Sequence, residues 1–274
     1  MNTVLAALDT SPSAGEVLDT ARRVARLTDA TVIALHVRGH AGQVVTGLTS
    51  MADQAGVALR VVDGPPGPAL VTALRQPDAV AAVIGGCAPS RRAVPRAWPV
   101  ARALLQRTDT PVVVVPSGSG STGEIRRLLV PLEGSDVSSR SVLEQLVPLV
   151  AADVDIEVLH VFTATTVPTM LDQPTYDLGT LGREFLRHHF PDAGTIEFRT
   201  GAIVDQVARV CIEHHMDLIA LSWSQSPSPE RGRVIRGVLE GASRPVLLLP
   251  DASRRTPPSG HTAVVADVVG TARG

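Results

Sequence analysis

The sequence predicts an α/β protein made of two tandem, open, five-stranded parallel sheets, each with helices on both faces in a Rossmann-like arrangement. Two observations lead to this prediction. Short runs of Val, Ile and Leu do not alternate with polar residues, which is typical of strands buried on both faces of a parallel sheet. Segments with helical periodicity separate these runs, and strands that alternate with helices form right-handed βαβ units.

Each half of the chain contains five apolar runs. In the first half the predicted strands are residues 3–8, 31–37, 58–62, 79–85 and 111–115. Apolar residues at helical spacing predict the helices between them, most clearly the first, at Val17, Leu18, Ala21, Val24 and Ala25, and the last, at Val100 and Leu104.

The second half repeats these elements in the same order. LHV occurs at 35–37 and again at 159–161, and PVVVVP at 111–116 corresponds to PVLLLP at 245–250. Near the start of each half, VLAALDTSPS corresponds to LLVPLEGSDV, so that Asp9 aligns with Glu133. Such self-similarity indicates two copies of one structural unit.

The repeats set the predicted domain boundaries. The first domain covers residues 1–116 and the second covers residues 126–250. Residues 117–125 between them are rich in Gly and Ser, which is the composition of a flexible linker. Residues 251–274 have no counterpart in the first half and are rich in small and polar residues, so we expect this tail to be largely disordered.

Composition argues against several classes of protein. No lysine is present, so all 25 basic residues are arginine, and P-loop and lysine-based catalytic mechanisms are excluded. Neither a GxSxG elbow nor an HExxH helix occurs. The paired histidines His188/His189 and His214/His215 are adjacent and would point to different faces of a helix. We therefore expect no enzymatic activity and no metal site.

Charge and hydropathy bear on the partners and the cellular location of the protein. The net charge of −2 and the aromatic content of 3% argue against nucleic acid as a partner. The apolar runs are much shorter than the roughly 20 residues of a membrane helix. The N-terminus lacks the basic region of a secretion signal, so the sequence predicts a cytoplasmic protein without a membrane partner.

Candidate site residues follow from the predicted sheet. In open α/β sheets, ligands bind beyond the carboxyl ends of the strands, where strand order reverses. In the first half these ends carry Asp9 and Thr10, Val37, and Gly85 and Gly86. A carboxylate there could bind a ribose hydroxyl or a base edge, and glycines allow backbone N–H groups to approach phosphate. Alternatively, Asp9 caps the helix that follows it.

The sequence resembles the universal stress protein family. The resemblance rests on four features in this order: a first strand that ends in Asp9, the LHV strand, the glycine-terminated fourth strand and the PVVVV strand. The resemblance covers both halves. It implies a stress-response protein without enzymatic activity, and in the members that bind ATP it implies a loop of pattern G-x2-G-x9-G-(S/T) after the fourth strand.

Both copies of that loop depart from the pattern. After Gly85, the first copy has Ala88, Trp98 and Pro99 at the remaining positions. The second copy keeps one glycine of the pattern, Gly232. The candidate residues of the second half, at the strand ends and in this loop, are Glu133, Gly134, Val161, Ser222, Gly232 and Arg233. Arginines lie in both loops and could bind an anion through their side chains or remain solvated: Arg91, Arg92 and Arg96 in the first, and Arg231, Arg233 and Arg236 in the second.

The resemblance therefore implies weak or non-canonical binding of ATP or another adenine nucleotide or anion. The alternative is a scaffold that binds no nucleotide and acts through protein contacts. One tryptophan per half, Trp98 and Trp223, lies near the predicted crevice and could stack on a base, although filling of an empty pocket or core packing is favoured.

In this family the fifth strand commonly pairs across a domain or subunit interface. The corresponding runs here, residues 112–115 and 246–249, are flat and apolar, and an uncovered edge of that kind promotes aggregation. We predict that they pair with each other in an intramolecular pseudo-dimer. The sequence does not decide whether two chains also form a homodimer.

Overall fold

A computed structural model describes residues 1–38, 46–86, 97–119, 123–133, 136–150, 153–163, 166, 177–191, 194–223 and 229–250. This part of the chain contains ten strands, eight α-helices and one short 3₁₀ helix, Val147–Leu149. The elements of the first half are β1 Thr3–Leu8, α1 Ala14–Leu27, β2 Thr31–Arg38, α2 Thr46–Ala55, β3 Ala58–Asp63, α3 Pro66–Leu74, β4 Ala79–Gly85, α4 Ala97–Arg107 and β5 Val112–Val115. Those of the second half are β6 Arg127–Pro131, α5 Asp136–Leu146, β7 Asp155–Phe162, α6 Leu178–His189, β8 Thr195–Thr200, α7 Ile203–Glu213, β9 Leu218–Trp223, α8 Pro229–Gly241 and β10 Val246–Pro250.

The predicted α/β class is confirmed, and the two halves share one topology. The strand order is β3-β2-β1-β4-β5-β10-β9-β6-β7-β8, so the order of the second half mirrors that of the first. Strands are parallel within each half. β5 and β10 pair antiparallel, with Val113 opposite Leu247, which joins the two five-stranded halves into one continuous sheet.

Both faces of the sheet are buried, as the non-alternating strand sequences predict. Successive residues of β1 enter two different core clusters, with Val4 and Ala6 on one face and Leu5 on the other. α1 packs on the first of these faces, whereas α3 and α4 pack on the second. Each cluster includes residues from both halves, so the junction between the halves lies inside the core.

The described helices include none that is both long and apolar enough to cross a lipid bilayer. The predicted tail and the residues 120–122 of the predicted linker lie outside the described residues.

Candidate ligand-binding cleft

A cleft of about 600 Å³ opens at the carboxyl ends of β1, β2 and β4 in the first half. This volume falls within the range of small-molecule sites, about 300–1,000 Å³. Its polar rim comes from the turn before α1, the first turn of α1 and the segment after β5. Its apolar walls come from Leu8, Leu35, Val37, Leu70, Ile84 and Val100.

The structure brings four of the five first-half candidates to this cleft. Asp9, Val37, Gly85 and Gly86 all line it. Thr10 is exposed and does not line the cleft. The juxtaposition follows from the parallel register, because Leu8 pairs with His36 and places the end of β1 beside the end of β2.

Asp9 is exposed and stabilises the turn before α1. Its Oδ1 accepts a hydrogen bond from the Ser11 amide at 3.1 Å and another from the Ser11 hydroxyl. The N-cap of α1 is Ser13, and Asp9 makes no capping bond to the helix. The alternative of Asp9 as a helix cap is therefore wrong. Its carboxylate stands at the mouth of the cleft.

Gly86 is required by the close approach of β5. A Cβ atom at this position would lie 2.8 Å from the carbonyl oxygen of Val115. The Gly86 amide donates to that same oxygen at 2.6 Å, and the Ser117 hydroxyl donates to the Gly86 carbonyl at 3.0 Å. This N–H group is thus already used within the protein and is not available to a phosphate.

The segment after β5 is hydrogen-bonded to the first turn of α1 at the rim of the cleft. Both carboxylate oxygens of Glu16 accept the amide of Gly118 at 3.0 Å. Among the described lining residues, Asp9 and Glu16 are the charged groups, and both are acidic. The described walls therefore favour ligands that offer hydroxyl or amino donors. Residues 87–96, with their three arginines, and the side chain of Trp98 lie outside the described residues.

Sequence reasoning missed Glu16 and the walls formed by Leu70 and Val100. Ser13 and Glu16 form an S-x-x-E pattern, which normally indicates a reciprocal helix cap. Here Ser13 makes no side-chain cap bond, and Glu16 instead holds a residue 102 positions away in the chain. Only the fold could reveal that partner.

The second-half candidates have different surroundings. Glu133 is exposed after β6, whereas Val161 is only 9% exposed and belongs to the core. The Ser222 hydroxyl in β9 is buried without a hydrogen-bond partner among the described residues. Gly232 and Arg233 lie in α8 rather than in a loop. Gly134 lies outside the described residues.

Trp223 distinguishes the second half from the first. It follows Ser222 as Gly86 follows Gly85, but its indole is only 1% exposed and belongs to the core cluster beneath α7 and α8. Core packing, the favoured interpretation, is therefore the role that the structure gives this residue.

The two LHV histidines have the same structural task. His36 Nδ1 lies 2.8 Å from the Leu8 carbonyl, and His160 Nδ1 lies 2.9 Å from the Leu132 carbonyl. Because a carbonyl only accepts, Nδ1–H is the donor in both cases. Each histidine thus ties the second strand of its half to the residue that ends or follows the first strand. His160 also packs on Phe162 and Phe185, with ring centroids 4.6 and 5.1 Å apart.

We expect His160 to reduce stability in mild acid. Burial lowers the pKa of its imidazole, and the bond to Leu132 only partly opposes this effect. The unfolded chain therefore takes up the proton first, and stability is lost as pH falls below about 6.5, the ordinary value. Urea denaturation at several pH values between 7.5 and 5 should show this decline, with a smaller slope in His160→Phe. Equal slopes in both proteins would contradict the assignment.

Comparison with known proteins agrees with this architecture. The sequence model of the Universal stress protein family matches residues 124–250. No curated protein matches the chain.

Solved structures extend the likeness to nearly the whole chain. A universal stress protein from Archaeoglobus fulgidus DSM 4304 has a TM-score of 0.60 at 14% identity, over 91% of this chain and 98% of its own. A functionally unknown protein from Pseudomonas aeruginosa PAO1 has a TM-score of 0.64 at 14% identity, over 92% and 93%. The cytoplasmic domain of a prokaryotic cation chloride cotransporter has a TM-score of 0.51 at 12% identity, over 91% and 95%.

At these identities the structural likeness concerns the fold alone. The cotransporter domain shows that this fold also occurs in a protein of a different kind. The comparisons therefore establish a match to the universal stress protein family over residues 124–250 and a shared fold over nearly the whole chain.

Proposed function

We propose that the chain is a tandem universal stress protein that takes part in a stress response without catalysing a reaction, and that its N-terminal cleft binds the nucleoside part of an adenine nucleotide. The family match over residues 124–250 and the internal repeat support the first part. The observation that carries the second part is a cleft with Asp9 at its mouth and apolar walls, at the strand ends where open α/β sheets bind ligands.

The cleft suits a nucleoside in size and chemistry. Its apolar walls, from β2, β4, α3 and α4, can cover the faces of a flat base. The Asp9 carboxylate can accept hydrogen bonds from a ribose hydroxyl or an exocyclic amino group, the donors that such a ligand offers. Ser13 adds a hydroxyl at the same rim.

Phosphate groups should add little affinity. The Gly86 amide already donates a hydrogen bond to the Val115 carbonyl, and Glu16 places a second carboxylate at the rim. A phosphate at this rim would meet like charge, which disfavours binding. Binding that is weak and depends mainly on the nucleoside is therefore the expected behaviour.

The buried indole of Trp223 supports one ligand per chain rather than two, because it belongs to the core at the position that corresponds to Gly86. The antiparallel pairing of β5 with β10 supports an intramolecular pseudo-dimer. We further propose a cytoplasmic location, and light scattering will decide whether the chain also forms a homodimer.

Calorimetric titration of the full chain with adenosine, AMP and ATP tests the proposal. We expect one site, with dissociation constants for adenosine and ATP within about tenfold of each other, because the phosphates find few partners. Asp9→Ala should weaken adenosine binding by about tenfold or more, since a hydrogen bond to a charged group contributes roughly 1.5–3 kcal/mol. Asp53→Ala, an exposed carboxylate on α2, is the matched control and should bind like the wild type.

Three outcomes would overturn the proposal. ATP binding that is a hundredfold tighter than adenosine binding would identify a phosphate site. An unchanged affinity in Asp9→Ala would remove Asp9 from the site. Absence of binding by any of the three compounds in folded protein would favour the scaffold that acts through protein contacts.

A further inference from the structure

Three side chains of types that can bind a metal ion lie close together in the second half, away from the cleft. Glu157 in β7, Glu197 in β8 and His214 at the end of α7 each place one potential ligand atom within 4.8 Å of the others. Residues 157 and 197 share one face of the sheet, because Glu157 pairs with Thr195 and Leu159 pairs with Glu197. α7 packs against β7 and brings His214 to this face.

His214 is held in place by the way α7 ends. The Met216 amide donates to the Cys211 carbonyl at 2.9 Å, the His215 amide donates to the Ile212 carbonyl, and His215 has φ 53°. This is the Schellman arrangement, which stops a helix and turns the chain. His214 is the C-cap residue, and its ring is thereby directed at Glu157.

The hydrogen bond to Glu157 determines which nitrogen of His214 is free. His214 Nδ1 lies 2.7 Å from Glu157 Oε1. Because a carboxylate only accepts, Nδ1 carries the proton, and the neutral imidazole keeps a lone pair on Nε2. A histidine that donates one N–H to a carboxylate and presents its other nitrogen is the usual arrangement around a bound metal.

The free nitrogen faces a carboxylate oxygen that has no hydrogen bond. His214 Nε2 lies 3.6 Å from Glu197 Oε2, which is buried and without a hydrogen-bond donor among the described residues. Arg199 bonds the other oxygen, Glu197 Oε1, and also bonds Glu213. When the ring is neutral, two atoms with lone pairs face each other at Nε2 and Oε2, and either a metal ion between them or a second proton on the ring makes this contact favourable.

We propose that this group binds a divalent transition-metal ion of the zinc type, with His214 Nε2 and Glu197 Oε2 as ligands, Glu157 as the residue that orients His214, and water at the remaining positions. Two ligands at about 2.1 Å from a tetrahedral zinc ion lie roughly 3.4 Å apart, so the 3.6 Å separation needs little adjustment. Imidazole nitrogen with carboxylate oxygen suits zinc better than magnesium.

The competing occupant is a proton. The contact with Glu157 raises the pKa of His214, and a protonated ring would form a plain ion pair with both carboxylates. The experiment is therefore done at pH 8, where fewer rings carry the second proton. It is independent of the nucleotide proposal, because none of these residues lines the cleft.

Zinc affinity is measured on the full chain by competition with a chromophoric chelator, and Co²⁺ absorption reports the ligand geometry. We expect one ion per chain and no binding of Mg²⁺ at the same concentration. His214→Asn and Glu197→Gln should each weaken zinc binding by at least about tenfold, and Glu157→Gln by about tenfold to a hundredfold, as for other groups that orient a ligand.

His215→Asn is the matched control. It makes the same substitution at the next residue, which is exposed, and asparagine tolerates a positive φ. It should bind zinc like the wild type. Circular dichroism of the metal-free variants verifies that each one is folded. Absence of zinc binding in the folded wild type, or equal affinities for His214→Asn and His215→Asn, would overturn the proposal and leave an ion pair only.

Discussion

Replacing Val113 with Asp is expected to destabilise the protein by about 4 kcal/mol or more. Val113 is fully buried in β5, directly opposite Leu247 of β10, and both side chains belong to the core that spans the two halves. The substitution removes the burial of a valine side chain, about 1.5–3 kcal/mol, and places a carboxylate in an apolar site, which costs several kcal/mol more. Guanidinium denaturation followed by circular dichroism measures the loss.

Val61→Asp provides the control with the same chemical change. Val61 lies in the edge strand β3 and is 37% exposed, so its substitution should cost only about 1 kcal/mol. If both variants lost the same stability, the β5–β10 junction would contribute no more than an outer edge of the sheet.

Replacing Asp217 with Ala is expected to destabilise the protein by about 3 kcal/mol. Asp217 Oδ2 accepts the amides of Arg126 and Arg127, at 2.9 and 3.0 Å, at the start of β6. Its Oδ1 lies 3.9 Å from Arg23 Nη2, and Arg23 is a 5% exposed arginine on α1 of the other half. The substitution leaves two backbone donors without their acceptor and a buried positive charge without its counter-ion.

The two partners of this ion pair should behave differently. Arg23 Nε and Nη2 are buried without hydrogen-bond partners among the described residues, and burial lowers the pKa of this guanidinium. Arg23→Leu removes a charge that is expensive to bury, and its effect should be near neutral. The double variant should recover part of the loss seen in Asp217→Ala. Thermal and urea denaturation of the three variants measure these differences, and an Arg23→Leu cost equal to that of Asp217→Ala would contradict this account.

The strands of the first half could be predicted almost residue by residue. The predicted boundaries 31–37, 58–62 and 111–115 differ from the observed β2, β3 and β5 by one residue at one end. Parallel strands buried on both faces leave continuous apolar runs, and this signal is local in the sequence. The same local signal predicted that the residues after β1 and β4 would line one edge.

The role of each residue at that edge could not be predicted in the same way. The Asp9 carboxylate accepts a hydrogen bond from Ser11 instead of capping α1, and the Gly86 amide donates to the Val115 carbonyl. The sequence predicted no metal site because it considered adjacent histidines. The group for which we propose a metal combines His214 with carboxylates 17 and 57 residues away in the chain.

The sequence by itself therefore determined the class of fold, the repeat and the edge of the sheet where a ligand could bind, because apolar periodicity and strand order are properties of the chain. The tertiary structure alone decided that Gly86 lines a cleft in the first half, whereas Trp223, at the corresponding position of the second half, is buried in the core. It also decided that Arg23 meets Asp217 and that His214 meets Glu157 and Glu197. Such contacts depend on register and helix ends across distant segments, which no local pattern records.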